Sequence, residues 1–293
     1  MKIAQIVPNW TQFHADEAIG IKAVARDLTV GLMKLGHEVT VFAPDGSTFA
    51  GVTLRPFGPS LRDQGLSLFH ENAPEAQRAY AQRIVPELGS FDVVHSHIEH
   101  VLLPLVPKLR PPVVSTIHGA QFREREVEVF KTHPNGTFIA LSRRATEVLP
   151  YIHFSGVVYN GVNITECPYV AAPAEAPYVG WMGRFARTKG ALDAIDAAKK
   201  AGIVVTLVGF EQKGEEDYFR QVKELEDGAS VRLLDAMIGH VKYAFLGNAR
   251  AFLFPIHWEE PFGLVMAEAM ACGTPVIAYD RGSVSEIVED GIT

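Results

Sequence analysis

Short apolar runs of strand length alternate with helical stripes along nearly the whole chain. Residues 3–7 (IAQIV) read as a first strand. After them Val24, Leu28, Leu32 and Leu35 recur at helical spacing, and Gly36 suits the helix end. Residues 39–43 form the next strand, so GHEVTVFAP reads as helix end, tight turn and strand. Further strands are expected at 93–94, 113–117, 138–141 and 157–159. This alternation predicts parallel sheets joined by crossover helices.

At Cys167 the texture changes: CPYVAAPAEAP is rich in Pro and Ala and has no hydrophobic period, which suits a linker. A second alternation follows, with strands at 178–182, 204–208, 231–234, 251–254 and 275–278. Helices fit 191–201, 217–225, 240–248 and 264–271. With 293 residues and roughly 100–200 per domain, two domains are expected, 1–165 and 166–293. The expected class is α/β: two Rossmann-like, doubly wound domains with a cleft where the carboxyl ends of their strands face each other.

Composition narrows the functions. A net charge of -7 argues against a nucleic-acid partner and against strong docking on anionic lipid, since both rest on excess Lys and Arg, so any membrane contact is expected to be peripheral at most. Two cysteines, Cys167 and Cys272, are too few for a disulfide framework, so a cytoplasmic location is expected. The N-terminus runs straight into a strand without a signal-peptide layout, and no stretch approaches the ~20 apolar residues of a membrane span.

The strongest chemical signal is WEEPFGLVMAEAMACGTPVIA, residues 258–278. A strand runs into a loop holding Glu260, and Gly263 then opens a helix whose free N–H groups and dipole favour a phosphate. Glu268 lies four residues after Leu264, on the same face one turn deeper, where it can accept hydrogen bonds from a ribose. Glu260 can reach a sugar on the far side of the phosphates. The second signal is GRFARTKG, residues 183–190, directly after a strand. Arg184 and Lys189 are expected in its loop, where paired cations can neutralise a diphosphate leaving group. Transferases without such cations often use a metal on a D-x-D pair, and the chain contains none.

These two segments resemble the donor-binding motifs of family-4 retaining glycosyltransferases of the GT-B fold. The likeness extends to GHEVTVFAP, FDVVHSH, STIHG and YNGVN. It implies that Glu260 and Glu268 are the E-x7-E pair, contacting the transferred sugar and the nucleotide ribose respectively. It also implies that Arg184 and Lys189 hold the pyrophosphate, and that His118 lies near the reacting carbon of the sugar. The base would be read by backbone groups near Met237 and Ile238. The implied donor set further includes Gly20 and, at the helix start, Phe262, Gly263, Leu264 and Val265. The chain departs from the family in AIGIKAV, where Gly20 stands alone and Lys22 replaces an acid. Family members also continue past EDGIT, so this sequence is expected to be either truncated at its C-terminal part or an unusually short member.

The implied function is transfer of a hexose from a nucleoside diphosphate sugar to a hydroxyl acceptor on a sugar, lipid or small molecule. No cofactor and no metal are expected, and UDP-glucose precedes GDP-mannose as the expected donor. Two other readings stay open: a sugar-nucleotide epimerase of similar architecture, and a sugar-nucleotide-binding remnant with little turnover. The pattern H-S-H at His95 and His97 also suits a metal hydrolase. No downstream His-plus-Asp set completes such a site, so His95 and His97 are assigned to packing and hydrogen bonding near the cleft.

Overall fold

The computed structural model describes residues 1–15, 20–68, 70–171 and 178–293. The chain divides into two compact units, Met1–Gly161 and Val162–Thr293. Residues 172–177 of the expected linker, and Ala18 and Ile19 of AIGIKAV, lie outside the described residues.

Among the described residues, the first unit carries a seven-stranded sheet. Its strands are β1 (Lys2–Ile6), β2 (Glu38–Ala43), β3 (Thr53–Pro56), β4 (Val93–Ser96), β5 (Val113–Ile117), β6 (Thr137–Ala140) and β7 (Phe154–Val157). The order is β3-β2-β1-β4-β5-β6-β7 and every pairing is parallel. The helices are α1 (Ile21–Lys34), α2 (Ala73–Ile84), α3 (Glu124–Thr132) and α4 (Arg143–Val148). Both faces of β1 are buried, as a central parallel strand requires. Ala4 and Ile6 pack with α2 through Tyr80, Ala81 and Ile84, while Ile3 and Val7 pack with α1 through Ala25.

The second unit repeats the plan with β8 (Tyr178–Phe185), β9 (Val204–Glu211), β10 (Val231–Asp235), β11 (Ala251–Phe254) and β12 (Val276–Ala278). The order is β10-β9-β8-β11-β12, again parallel throughout. Helices α5 (Ala191–Ala201), α6 (Glu216–Glu224), α7 (Gly239–Asn248), α8 (Leu264–Ala271) and α9 (Val284–Ile287) complete it. One core joins Trp181, Leu207 and Leu253 to α5 and α6; the other joins Phe252, Phe254 and Val208 to α7 and α8. No helix among the described residues is long and apolar enough to cross a membrane.

Several elements differ from the pattern-based expectation. The last strand of the first unit is Phe154–Val157 rather than 157–159, because Phe154 enters the core whereas Val158 and Tyr159 face outward. In α1 the fully buried positions are Ala23, Ala25 and Thr29, and the leucine stripe is at most half-buried. Small residues let that helix sit close on the sheet. The pattern missed α2, whose buried face is built from Ala73, Tyr80, Ala81 and Ile84, so alanines dilute its hydrophobic period. It also missed β3, an edge strand (TLRP) with no fully buried residue, and α3, whose fully buried side chain is Phe130 alone.

In both sheets the strand order reverses beside a central strand, between β1 and β4 and between β8 and β11. Carboxyl ends of strands at such a switch point leave a crevice that no crossover helix fills. Glycine geometry helps build the second one. Gly190, between β8 and α5, has φ 69°, and a Cβ there would lie 1.9 Å from the carbonyl oxygen of Pro255 after β11. Gly202 has nearly the same φ, 66°, with nothing within 4 Å of its Cβ position. Gly202→Ala should therefore cost only the left-handed penalty of about 1 kcal/mol. Gly190→Ala adds a backbone clash and should cost on the order of 3 kcal/mol or more. Urea unfolding of both variants checks this, and equal losses would show that the Pro255 contact does not constrain the loop.

Candidate active site

At the switch point of the second sheet, the turn after β8 and the loop after β11 meet. Arg184 and Lys189 were expected together in a loop after the strand. The structure corrects this for Arg184, which lies inside β8, because the pairing with β9 continues through Gly183–Gly209, Arg184–Phe210 and Phe185–Glu211. Its guanidinium donates to Gln212 Oε1 at 2.6 Å, just past the end of β9. Lys189 closes a single 3-10 turn, Arg187–Lys189, and Trp181 Nε1 donates to its carbonyl at 2.9 Å.

Lys189 Nζ donates to Glu260 Oε2 at 2.7 Å, and Trp258 Nε1 donates to the same oxygen at 3.1 Å. The ammonium also stands 4.5 Å from the centre of the Trp258 ring. The loop carrying Glu260 is fastened on two sides. His257 N donates to Thr188 O at 2.8 Å, and Ser283 N donates to Glu260 O at 2.9 Å. Ser283 Oγ donates to Phe262 O at 2.8 Å, and Gly282 packs so tightly that a Cβ would lie 2.2 Å from Glu260 N. Sequence reasoning did not single out Gly282 or Ser283.

Gly263 caps α8 in the left-handed region, φ 76° and ψ 63°, with Glu260 Cγ 3.4 Å from its Cβ position. The first N–H groups of an α-helix have no acceptor within it. Leu264 and Val265 therefore present donors beside the Glu260 loop, while Phe262 is buried below and Val265 leans on the α7–α8 core. One turn further in, Glu268 is only 8% exposed. Its Oε1 accepts from Lys242 Nζ at 2.7 Å, and Lys242, on α7, is only 7% exposed. Lys242 was not anticipated, yet its signal is readable: Lys242, Phe245, Leu246 and Ala249 follow helical spacing and all are buried, so the lysine sits in an apolar stripe. Met237 is half-buried against the same core, and Ile238 is exposed at the start of α7.

His118, the other expected catalytic residue, belongs to the first unit, at the end of β5 beside that sheet's switch point. His97 Nε2 donates to Gln5 Oε1 at 2.8 Å, since a carbonyl oxygen can only accept. His97 Nδ1 then accepts from His118 Nε2 at 3.0 Å, which leaves His118 Nδ1 with its lone pair. His95 stacks on His97 with ring centres 4.4 Å apart and bonds Thr116 Oγ1 at 2.7 Å. Burial holds all three imidazoles neutral: His95 is lowered to about 4, His118 to about 3, and His97 well below its usual value. Among the described residues no group of three or more His, Cys, Asp or Glu is arranged to hold a metal ion.

Glu99 was also missed. Its Oε1 accepts from the N–H groups of His118 and Gly119, at 2.8 and 2.7 Å, and its backbone has φ 48°. Burial raises its carboxyl to about 7. Gln5 left a signal, a fully buried polar residue within an otherwise apolar strand, whereas Glu99 left none because its role depends on a left-handed turn. Gly20 caps α1 with φ 56°, and among the described residues no atom lies within 4 Å of its Cβ position. Lys22 points back into the loop after β1, donating to Thr11 O at 3.1 Å and also to Thr11 Oγ1 and Gln12 O, and burial lowers it to about 8.

The chain is 30% identical over 239 residues to a glycogen synthase of Mycobacterium tuberculosis, covering 69% of this chain and 55% of that protein. It is 28% identical over 227 residues to a phosphatidyl-myo-inositol mannosyltransferase of Propionibacterium freudenreichii, covering 69% and 56%. The chain thus spans about half the length of these curated relatives. The crystal structure of Anabaena HepE in complex with UDP-glucose superimposes with a TM-score of 0.74 at 20% identity, covering 100% of this chain and 84% of that one. The two parallel-sheet α/β units match the GT-B fold. Residues 169–293 match the family described as Glycosyl transferases group 1. Residues 19–166 match Glycosyltransferase Family 4, and the chain belongs to that family.

Proposed function

We propose that this chain transfers a hexose from a nucleoside diphosphate sugar to a hydroxyl acceptor, with retained anomeric configuration and without a metal ion. The observation that carries the reading is the Lys189–Glu260 pair set against the start of α8 at the second switch point. A cation and free helix N–H groups suit the diphosphate, and a carboxylate beside them suits the sugar joined to it. Glu268, one helical turn deeper, suits the ribose on the other side of the phosphates.

In the proposed reaction the bond between the anomeric carbon and the phosphate oxygen breaks, and its electron pair leaves on the diphosphate. Arg184, Lys189 and the N–H groups after Gly263 stabilise that charge without rearranging at the moment of reaction. The acceptor hydroxyl attacks the same face of the sugar, and its proton passes to the leaving phosphate oxygen. Glu260 orients the sugar through the oxygen that Lys189 and Trp258 leave uncommitted. His118 is assigned to the reacting carbon by family resemblance alone. As a neutral imidazole with a lone pair at Nδ1, it suits a sugar hydroxyl. UDP-glucose is the first donor proposed, the sugar nucleotide bound by HepE, and GDP-mannose is the second, in line with the mannosyltransferase relative.

Incubation with UDP-, GDP- and ADP-sugars in the presence of EDTA tests this directly. Donor hydrolysis or transfer is expected, undiminished by chelation. Loss of turnover on chelation, restored by a divalent ion, would overturn the metal-independent reading. Sugar interconversion would instead point to an epimerase.

Glu260→Gln should lower kcat about 100-fold or more while nucleoside diphosphate binding persists, because its partner sugar changes charge in the transition state. Glu268→Gln should mainly raise KM, because ribose is bound alike before and during reaction. Steady-state kinetics with calorimetry on the free diphosphate separates the two, and the reverse pattern would mean that the donor lies the other way round.

The histidines give a pH signature. Their folded values lie below 6.5, so their contribution to stability is present above pH 6.5 and lost as pH falls towards 4. Glu99 acts oppositely: its folded value of about 7 exceeds the unfolded 4.5, so acidification across that window favours the fold. Three imidazoles outweigh one carboxyl. The thermal midpoint should fall between pH 7.5 and 5, and Glu99→Gln should steepen the fall by removing the opposing group. A midpoint that instead rises as pH falls would show that these imidazoles titrate normally and that Glu99 alone sets the dependence.

A further inference from the structure

Lys242 and Glu268 form an ion pair where the fold does not call for one. The pair lies between α7 and α8, in the core that also holds Tyr243, Phe245, Leu246, Met266, Cys167 and Cys272. Apolar side chains of similar volume usually stabilise such a place at least as well, because desolvating two charges offsets most of their attraction. Lys242 follows the spacing of Phe245 and Leu246, where a leucine would serve the packing. The lysine therefore calls for a reason beyond stability.

That reason lies in what it does to Glu268. Its ammonium takes Oε1 at 2.7 Å and, among the described residues, leaves Oε2 uncommitted. The glutamate stands one turn inside a helix whose start, at Gly263, presents free N–H groups. A lone carboxylate at this depth would rotate about its last bond and turn to whatever donor came near. With one oxygen anchored, the other points in a fixed direction before any ligand arrives, so less rotamer entropy is lost on binding.

We infer that Lys242 is a positioning residue for donor recognition: through its bond to Oε1 it aims Oε2 of Glu268 at the ribose hydroxyls. The inference rests on the donor placement proposed above. Lys242 itself touches neither sugar nor phosphate, so its loss should act on ribose recognition alone.

Calorimetry with UDP and 2′,3′-dideoxy-UDP tests this, with the GDP or ADP pair substituted if those bind more tightly. The wild-type chain should prefer the ribose form about tenfold or more, the worth of hydrogen bonds to a charged group. In Lys242→Met that preference should shrink to about twofold, through weaker UDP binding, with dideoxy-UDP affinity near the wild-type value. Adding Lys242→Met to Glu268→Gln should change neither affinity further, and this double variant buries no unpaired charge, so it serves if the single variant does not fold. A folded Lys242→Met chain with wild-type ribose preference would overturn the inference alone, as would further weakening of both ligands in the double variant. A wild-type chain that binds none of UDP, GDP and ADP would overturn the donor placement as well.

Discussion

Which oxygen Glu260 and Glu268 have left to offer is decided in each case by a lysine. Lys189 takes Oε2 of Glu260, and Lys242 takes Oε1 of Glu268. A carboxylate is a two-fold rotor with acceptor sites on both oxygens, so an unanchored one can meet a ligand in many ways. Anchoring one oxygen builds the orientation of the carboxylate into the fold. The surrounding structure serves those anchors. Trp181 holds the backbone of Lys189, Ser283 holds the main chain of Glu260, and the apolar side of α7 carries Lys242.

The two pairs are not equivalent. Lys189 and Glu260 keep side-chain exposures of 16% and 13%, and Trp258 shares the carboxylate, so the pair can open towards a ligand at modest cost. Lys242 and Glu268 are closed in by cysteine and aromatic side chains, where removing one partner strands the other charge. An adaptable contact fits a sugar whose geometry changes during reaction. A fixed contact fits a ribose that stays as it is.

The polar cluster of the first unit is built around neutral imidazoles. Gln5, His97 and His118 form a chain in which each proton position sets the next, and burial keeps the rings uncharged. Glu99 ties the main chain of His118 and Gly119 from a left-handed backbone, a conformation that costs energy unless neighbouring bonds hold it. His118 is thus held at its side chain by an imidazole and at its backbone by a carboxylate.

Alternation of apolar runs was enough to read most strands and helices, because burial on both faces of a parallel sheet leaves a strong local pattern. Residues 113–117, 191–201, 251–254 and 264–271 coincide with β5, α5, β11 and α8. The pattern failed where burial relied on small residues, in α2, or hardly occurred, in β3. The cations and glutamates at 184, 189, 260 and 268 were legible because they stand in short segments beside glycines that shape the chain locally. Their partners were not. Lys242 precedes Glu268 by 26 residues, Gln5 precedes His97 by 92, and Ser283 follows the Glu260 loop after another strand. A hydrogen bond depends on where two side chains end up, and only the packing of helices on each sheet decides that distance. The sequence determined which polar side chains stand beside those glycines; the tertiary structure alone decided which oxygen, and which ring nitrogen, each has left to offer.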